Sequence, residues 1–131
     1  EIRDETGMAM LFISHDLDVI ELMCDRIVVL YLGRVMEVGP ADAVCNHPRH
    51  PYTQALLAAS PRPDPAARRA RALLTGDIPS PLAPPSGCVF RTRCPLATAA
   101  CAAAVPPMRP AGANHTFACI HAAPGQEASR D

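Results

Sequence analysis

Six cysteines stand in this 131-residue chain, and four of them fall in one stretch: Cys88, Cys94, Cys101 and Cys119, spaced C-x5-C-x6-C-x17-C. Gly87, Pro95, Pro106, Pro107, Pro110 and Gly112 surround them. Loops of this kind can bring sulfurs to one centre without regular structure. The residues alone leave several readings open. Disulfides suit a secreted mini-domain. Structural zinc takes four thiolates in a tetrahedron, usually from paired C-x2–4-C knuckles, and no such pair is present. A 4Fe-4S cluster also takes four cysteines, with wider and more varied spacings. Four unligated cysteines, packed as small hydrophobes, are the plain alternative. His115 and His121 are possible substitutes for one ligand. Cys24 and Cys45 lie outside the group and read as packing residues.

A second candidate for chemistry is His15. Met10 to Ile13 form an apolar run rich in β-formers, interrupted at Ser14 and His15. Leu17, Ile20, Met23 and Cys24 then recur at helical spacing. The pattern predicts a buried strand over 8–13, a short turn, and a helix from Asp16 to about Cys24. His15 then stands at the end of a strand in a parallel sheet, the edge where open α/β sheets bind ligands. The alternative is a histidine that closes the turn and touches no ligand. His47 and His50, three residues apart, could also be metal ligands. The prolines between and after them argue against a common helical face and favour a structural role.

These residues need elements to hold them. Glu1 to Thr6 reads as a helix stopped by Gly7. It opens without a cap or an initiating methionine, so further sequence is expected before Glu1. Ile27 to Tyr31 and Arg34 to Val38 read as a hairpin turning at Gly33. A short helix is expected over Ala41 to Val44, and another from Pro51 to about Ala59, with Pro51 at its first position. Ser60-Pro61 ends it. Twelve of the fifteen prolines lie between Pro61 and Pro124. Arg62 to Pro65 reads as a stiff linker, Ala66 to Leu74 as a short helix, and Asp77 to Pro85 as extended chain. Phe90 and Phe117 are the only aromatics after residue 60. So little apolar bulk is expected to need a staple, which a shared metal centre would supply.

Composition narrows the function. Net charge is −1, and lysine is absent, all twelve basic residues being arginine. A P-loop needs a Gly-x-x-x-x-Gly-Lys-Ser/Thr lysine on the phosphates, so these residues cannot cradle a nucleotide by themselves. Residues 1–60 carry four arginines against nine acids, and residues 61–131 eight against four. The second half is too sparsely basic, and too poor in aromatics, for a nucleic-acid surface. No apolar run approaches the roughly 18 residues of a membrane span.

Three blocks, in order and without a gap, carry a family resemblance: Leu11-Phe-Ile-Ser-His-Asp-Leu17, Cys24-Asp-Arg-Ile-Val-Val-Leu30 and Gly33-Arg-Val-Met-Glu-Val-Gly39. They resemble the end of an ABC-transporter ATPase domain. The following His50-Pro-Tyr-Thr53 segment, and Gly87-Cys88-x-Phe90-x-x-Arg93-Cys94-Pro95, resemble the C-terminal extension of oligopeptide/dipeptide importer ATPases and their nickel-importing relatives. The resemblance implies an α/β fold: the C-terminal fragment of a P-loop ABC ATPase domain followed by a loop-rich, cysteine-containing extension. It divides the chain into the end of the ATPase domain (1–45), a helical extension and linker (46–75), a cysteine-rich metal-binding subdomain (76–121) and a disordered tail (122–131).

The resemblance also implies roles. His15 is the switch histidine at the terminal phosphate of ATP. Cys88, Cys94, Cys101 and Cys119 are the ligands of a 4Fe-4S cluster, with zinc as the alternative metal, and a cytosolic setting disfavours disulfides. Arg91 and Arg93 could offset thiolate charge or donate hydrogen bonds. The full subunit uses ATP and Mg, while the fragment alone is expected to be inactive. Implied partners are a second ABC ATPase subunit, the membrane permease subunits and, through the complex, an extracytoplasmic peptide-binding protein, with no nucleic acid. The implied place is the cytoplasmic face of the cell membrane, held there by the permease. The rival from a different class is a non-enzymatic iron–sulfur or zinc-binding structural or interaction module.

Overall fold

The computed structural model describes residues 2–59 and 76–121. The expected linker at 62–65, helix at 66–74 and tail at 122–131 lie outside the described residues. Helix α1 spans Ile2–Thr6, and Gly7 follows it at φ +66, the left-handed conformation of a C′ glycine. Residues 8–13 are in no strand, against the expectation. Leu11 is 92% and Ile13 87% exposed. A parallel strand exists only through its ladder with neighbours, and the described residues supply none for this segment. Its apolar run records a need for partners rather than a fold of its own.

Order resumes at Asp16, whose Oδ1 accepts the backbone N–H of Asp18 at 3.1 Å. That side chain caps α2 (Leu17–Met23), and Cys24 ends the helix, its N–H donating to the Ile20 carbonyl. The expected hairpin is present as β1 (Arg26–Tyr31) and β2 (Arg34–Pro40), paired antiparallel. Leu32 (φ 47) and Gly33 (φ 75) form its two-residue turn, both in the conformation that a type I′ turn demands. Alternation along β1 buries Ile27, Val29 and Tyr31 and exposes the residues between them. Helix α3 (Ala41–Asn46) follows directly from Pro40, and α4 (Pro51–Ala59) starts on Pro51 as expected.

The cysteine-rich stretch contributes three elements that its sequence hid. These are α5 (Ala99–Ala103), β3 (Arg109–Gly112) and β4 (His115–Phe117). Strand β4 pairs antiparallel with β2, giving one four-stranded sheet in the order β1-β2-β4-β3. The Ala118 N–H extends that pairing to the Met36 carbonyl at 2.8 Å. Val89 and Phe90 enter the same core as Ile20, Ile27, Val29, Tyr31, Met36 and Val44. So the late stretch is ordered against β2 and the hairpin, with apolar burial as well as whatever its cysteines add. The described architecture is a mix of short helices and one antiparallel sheet.

Candidate functional site

Cys88, Cys94, Cys101 and Cys119 line one small cavity of about 10 Å³, roughly the room of a single water molecule. His50, Phe90, Arg91 and His121 complete its wall. All four thiols are free, with no disulfide. Burial raises the pKa of Cys88, Cys94 and Cys119, and neighbouring sulfurs raise it further: Cys101 for Cys88, the other three for Cys94, and Cys88 and Cys101 for Cys119. Backbone N–H groups pull the other way: those of Phe90 and Arg91 favour the Cys88 thiolate, that of Leu96 the Cys94 thiolate, and that of His121 the Cys119 thiolate. Cys101 Sγ accepts the Thr98 N–H at 3.5 Å and lies 3.3 Å from His121 Nε2. Burial and crowding thus favour the neutral thiols in the empty cavity, while the surrounding N–H groups favour thiolates, the form a bound cationic centre would stabilise. Among the described residues, no group of three or more His, Cys, Asp or Glu is set to hold one metal ion.

Backbone detail fixes the cysteine loops. The Cys88 N–H donates to the Cys101 carbonyl at 2.8 Å. Gly87 makes this approach possible: a Cβ there would lie 2.1 Å from the Cys101 oxygen, and its φ is +66. Arg91 Nε donates to the Ser86 carbonyl at 2.8 Å, and Arg93 reaches the Tyr31 hydroxyl at 3.5 Å. Both arginines thus bond to oxygen atoms of their surroundings. Arg109, which the spacing did not single out, donates to the Cys119 and Ile120 carbonyls at 3.1 and 3.2 Å. His115 stands apart from the cavity wall.

His115 belongs instead to a buried polar node centred on Glu37. Glu37 is fully buried on β2. Its Oε1 accepts from His115 Nε2 at 2.6 Å and from the Arg49 N–H at 2.8 Å, and its Oε2 accepts the His50 N–H at 2.9 Å. Gly39 makes room for the His115 ring, which would stand 2.9 Å from a Cβ at that position. His50 Nδ1 accepts the Tyr52 N–H at 3.0 Å, so its proton belongs on Nε2. Burial pulls the His50 pKa down to about 4 and keeps the ring neutral. The Tyr31, Tyr52 and Phe90 rings pack in mutual contact, their centroids 4.8 to 5.3 Å apart. His50 is therefore structural, as its prolines implied, and the His-Pro-Tyr turn is the joint between sheet, hairpin and cysteine loop.

His15 lies at the bend between the irregular 8–13 segment and α2, and its side chain is exposed. The Asp16 N–H donates to Ser14 Oγ at 3.0 Å, which sets the turn. Asp16 caps the helix, so the imidazole between them is left facing outward.

Comparison with known proteins places this arrangement. Residues 36–101 match the family model for the C-terminal region of oligopeptide/dipeptide transporters. A peptide import ATP-binding protein of Brucella ovis is 57% identical over 120 residues, covering 92% of this chain and 38% of the relative. The oligopeptide transport ATP-binding protein of Haemophilus influenzae is 47% identical over 121 residues, covering 91% and 36%. The dipeptide transport ATP-binding protein of the same organism is 45% identical over 121 residues, covering 92% and 37%. The chain thus spans less than two-fifths of the length of these relatives. With the matched stretch running from the buried Glu37 strand through the His-Pro-Tyr turn to Cys101, this chain belongs to the oligopeptide/dipeptide transporter C-terminal region family.

Proposed function

We propose that the chain is the C-terminal part of an ATPase subunit that couples ATP hydrolysis to peptide import. The family match over residues 36–101, together with relatives named as peptide import ATP-binding proteins, carries this reading. The subunit works with a second ATPase subunit, permease subunits and an extracytoplasmic binding protein, and sits on the cytoplasmic face of the membrane through the permease. No helix among the described residues is long and apolar enough to cross a membrane, in keeping with attachment through partners. Within the subunit, His15 donates a hydrogen bond toward the γ-phosphate of Mg-ATP and helps position the attacking water. Phosphoryl transfer asks mostly for such positioning and charge stabilisation. Its exposed place on a capped turn leaves the ring available for this role. The P-loop and acidic groups that hold ATP and Mg lie outside these 131 residues.

The four cysteines, in this reading, hold a 4Fe-4S cluster that clamps the C-terminal extension. The donor set fits: four free, mutually crowded sulfurs face one cavity, and N–H groups are aimed at them. A four-iron cluster gives each thiolate its own iron, so the sulfurs need not close on one ion. The cavity of about 10 Å³ must widen to take it, while Val89 and Phe90 stay in the core. Bound, the cluster would supply cross-linking free energy to the extension. Zinc on the same cysteines is the second reading. The exposed face of His15 and the cysteine cavity are separate features, so the cluster takes no part in hydrolysis.

One set of variants tests both halves. In the full-length subunit, His15→Ala should cut ATP turnover at least tenfold while leaving ATP affinity nearly unchanged. Wild-type turnover in that variant would return His15 to a purely turn-forming role. Subunit purified without oxygen should be brown and carry about four irons per chain. Cys→Ser at 88, 94, 101 or 119 should bleach it, and Cys24→Ser or Cys45→Ser should not. Stoichiometric zinc would keep the architecture and replace the metal.

A further inference from the structure

The four sulfurs are not equivalent. Cys88 meets the N–H groups of its own loop at Phe90 and Arg91, Cys94 that of Leu96, and Cys119 that of His121. Each of those donors is two or three residues from the sulfur it serves, the ordinary product of a tight turn. Cys101 is different. It lies on α5, where its Sγ takes the Thr98 N–H at 3.5 Å and stands 3.7 Å from Thr98 Oγ1. Among the described residues, its sulfur is the one of the four within hydrogen-bond distance of a side chain from a distant part of the chain: His121 Nε2, at 3.3 Å across twenty residues. Arg109 holds His121 in reach by gripping the two carbonyls just before it, those of Cys119 and Ile120. The imidazole is thus placed by a structure built around it.

We infer that His121 is a hydrogen-bond donor to the Cys101 thiolate, outside the ligand set, and that it sets the reduction potential of the centre held by the four cysteines. This inference rests on the iron–sulfur reading above. A metal-bound thiolate has no proton to give, so at a contact of this length the imidazole must donate. An N–H···S bond withdraws charge from the sulfur and favours the reduced, more negative cluster. Hydrogen bonds to sulfur are among the features that set cluster potentials, and partners of this kind orient and tune ligands without binding the metal. His121 is therefore a positioning and tuning residue.

The test is potentiometry on the full-length subunit purified without oxygen, with iron content measured on the same samples. His121→Phe removes the donor and keeps a ring, and His121→Gln returns an N–H donor. The expected result is full iron in both variants, with the phenylalanine variant harder to reduce. A tenfold loss in the reduction equilibrium reads as 59 mV toward negative potential for a one-electron couple. The glutamine variant should recover at least half of that shift. Iron-loaded His121→Phe with an unmoved potential would overturn the inference and leave the cluster reading intact. Loss of iron in both variants would also overturn it, because His121 would then be a ligand. A wild-type subunit without iron removes the cluster reading itself, a result distinct from either of these.

Discussion

Gly87 shows how much of the cysteine site depends on one missing side chain. Two constraints coincide there: φ of +66, and a Cβ position 2.1 Å from the Cys101 carbonyl oxygen. Gly33 meets only the first, at φ +75 with open space where its Cβ would stand. Asparagine tolerates the left-handed region better than other residues with a side chain. Gly33→Asn should therefore be mild, within about 1 kcal/mol. Gly87→Asn cannot avoid the Cys101 backbone, so it must break the Cys88–Cys101 hydrogen bond and separate those sulfurs. Limited proteolysis within 76–121 should accelerate for Gly87→Asn and stay near wild type for Gly33→Asn. Equal behaviour of the two would mean that the close approach carries no weight. A second residue-scale expectation concerns His50, whose buried ring has its pKa lowered to about 4. The unfolded chain binds this proton near the ordinary value of 6.5, so between those values it holds more protons than the folded one. The stabilising effect of the neutral ring is complete above pH 6.5 and is lost as pH falls toward 4. NMR of the imidazole should report a neutral His50 down to about pH 4, whereas titration near 6.5 would show that the ring is not enclosed as described.

At the scale of elements, Glu37 is the point where three pieces of chain meet. Its carboxylate takes two backbone N–H groups at the entrance to α4 and the His115 imidazole from β4. Glu37→Gln keeps the shape but turns one acceptor into a donor, which faces either an N–H or the imidazole N–H. One buried donor is then left unsatisfied, a cost of about 1–3 kcal/mol. Amide exchange at Arg49 and His50 should rise in this variant, and adding His115→Gln should cost less than its separate effect, since the two share one bond. Additive losses would show that β4 and α4 are held independently. This node also explains what the sequence could and could not disclose. Helix α4 was legible because Pro51 suits a first turn and the Ser-Pro pair at 60–61 predicts a stop, and the β1–β2 hairpin because of alternation and Gly33. Strands β3 and β4 were not, being four and three residues long with Pro110 and Gly112 inside. Such strands exist through pairing with β2 rather than through propensity. The cysteines were legible by type and spacing. Their partners were legible only in part: His121 stood out as a possible ligand, whereas Thr98 and Arg109 become partners only through the fold, and nothing in the residue pattern marks Arg109 above Arg91. The error over 8–13 has the same origin, since an apolar run announces burial without naming what will bury it.

For the whole molecule, the question is what these residues can do by themselves. Nucleotide binding in this class of protein rests on backbone N–H groups of a glycine-rich loop and a lysine on the phosphates. The chain has no lysine, and its seven glycines include no Gly-x-x-x-x-Gly-Lys pattern. Its acidic first half would repel a triphosphate at low salt, with nine carboxylates against four arginines in residues 1–60. His15 is presented on a well-capped turn, yet one exposed imidazole offers a single hydrogen bond, worth about 0.5–1.5 kcal/mol net. Millimolar affinity alone requires about 4 kcal/mol. The isolated 131 residues should therefore give no measurable heat on calorimetric titration with Mg-ATP, and no phosphate release. The apolar 8–13 segment, with Leu11 and Ile13 almost fully exposed, should at the same time drive self-association that falls away when the two residues are changed to Ser. Micromolar binding by the isolated chain would mean that a phosphate site is built here from groups other than a P-loop. The arginines of the cysteine stretch would then be the first place to look, because Arg91, Arg93 and Arg109 are each held there by a hydrogen bond.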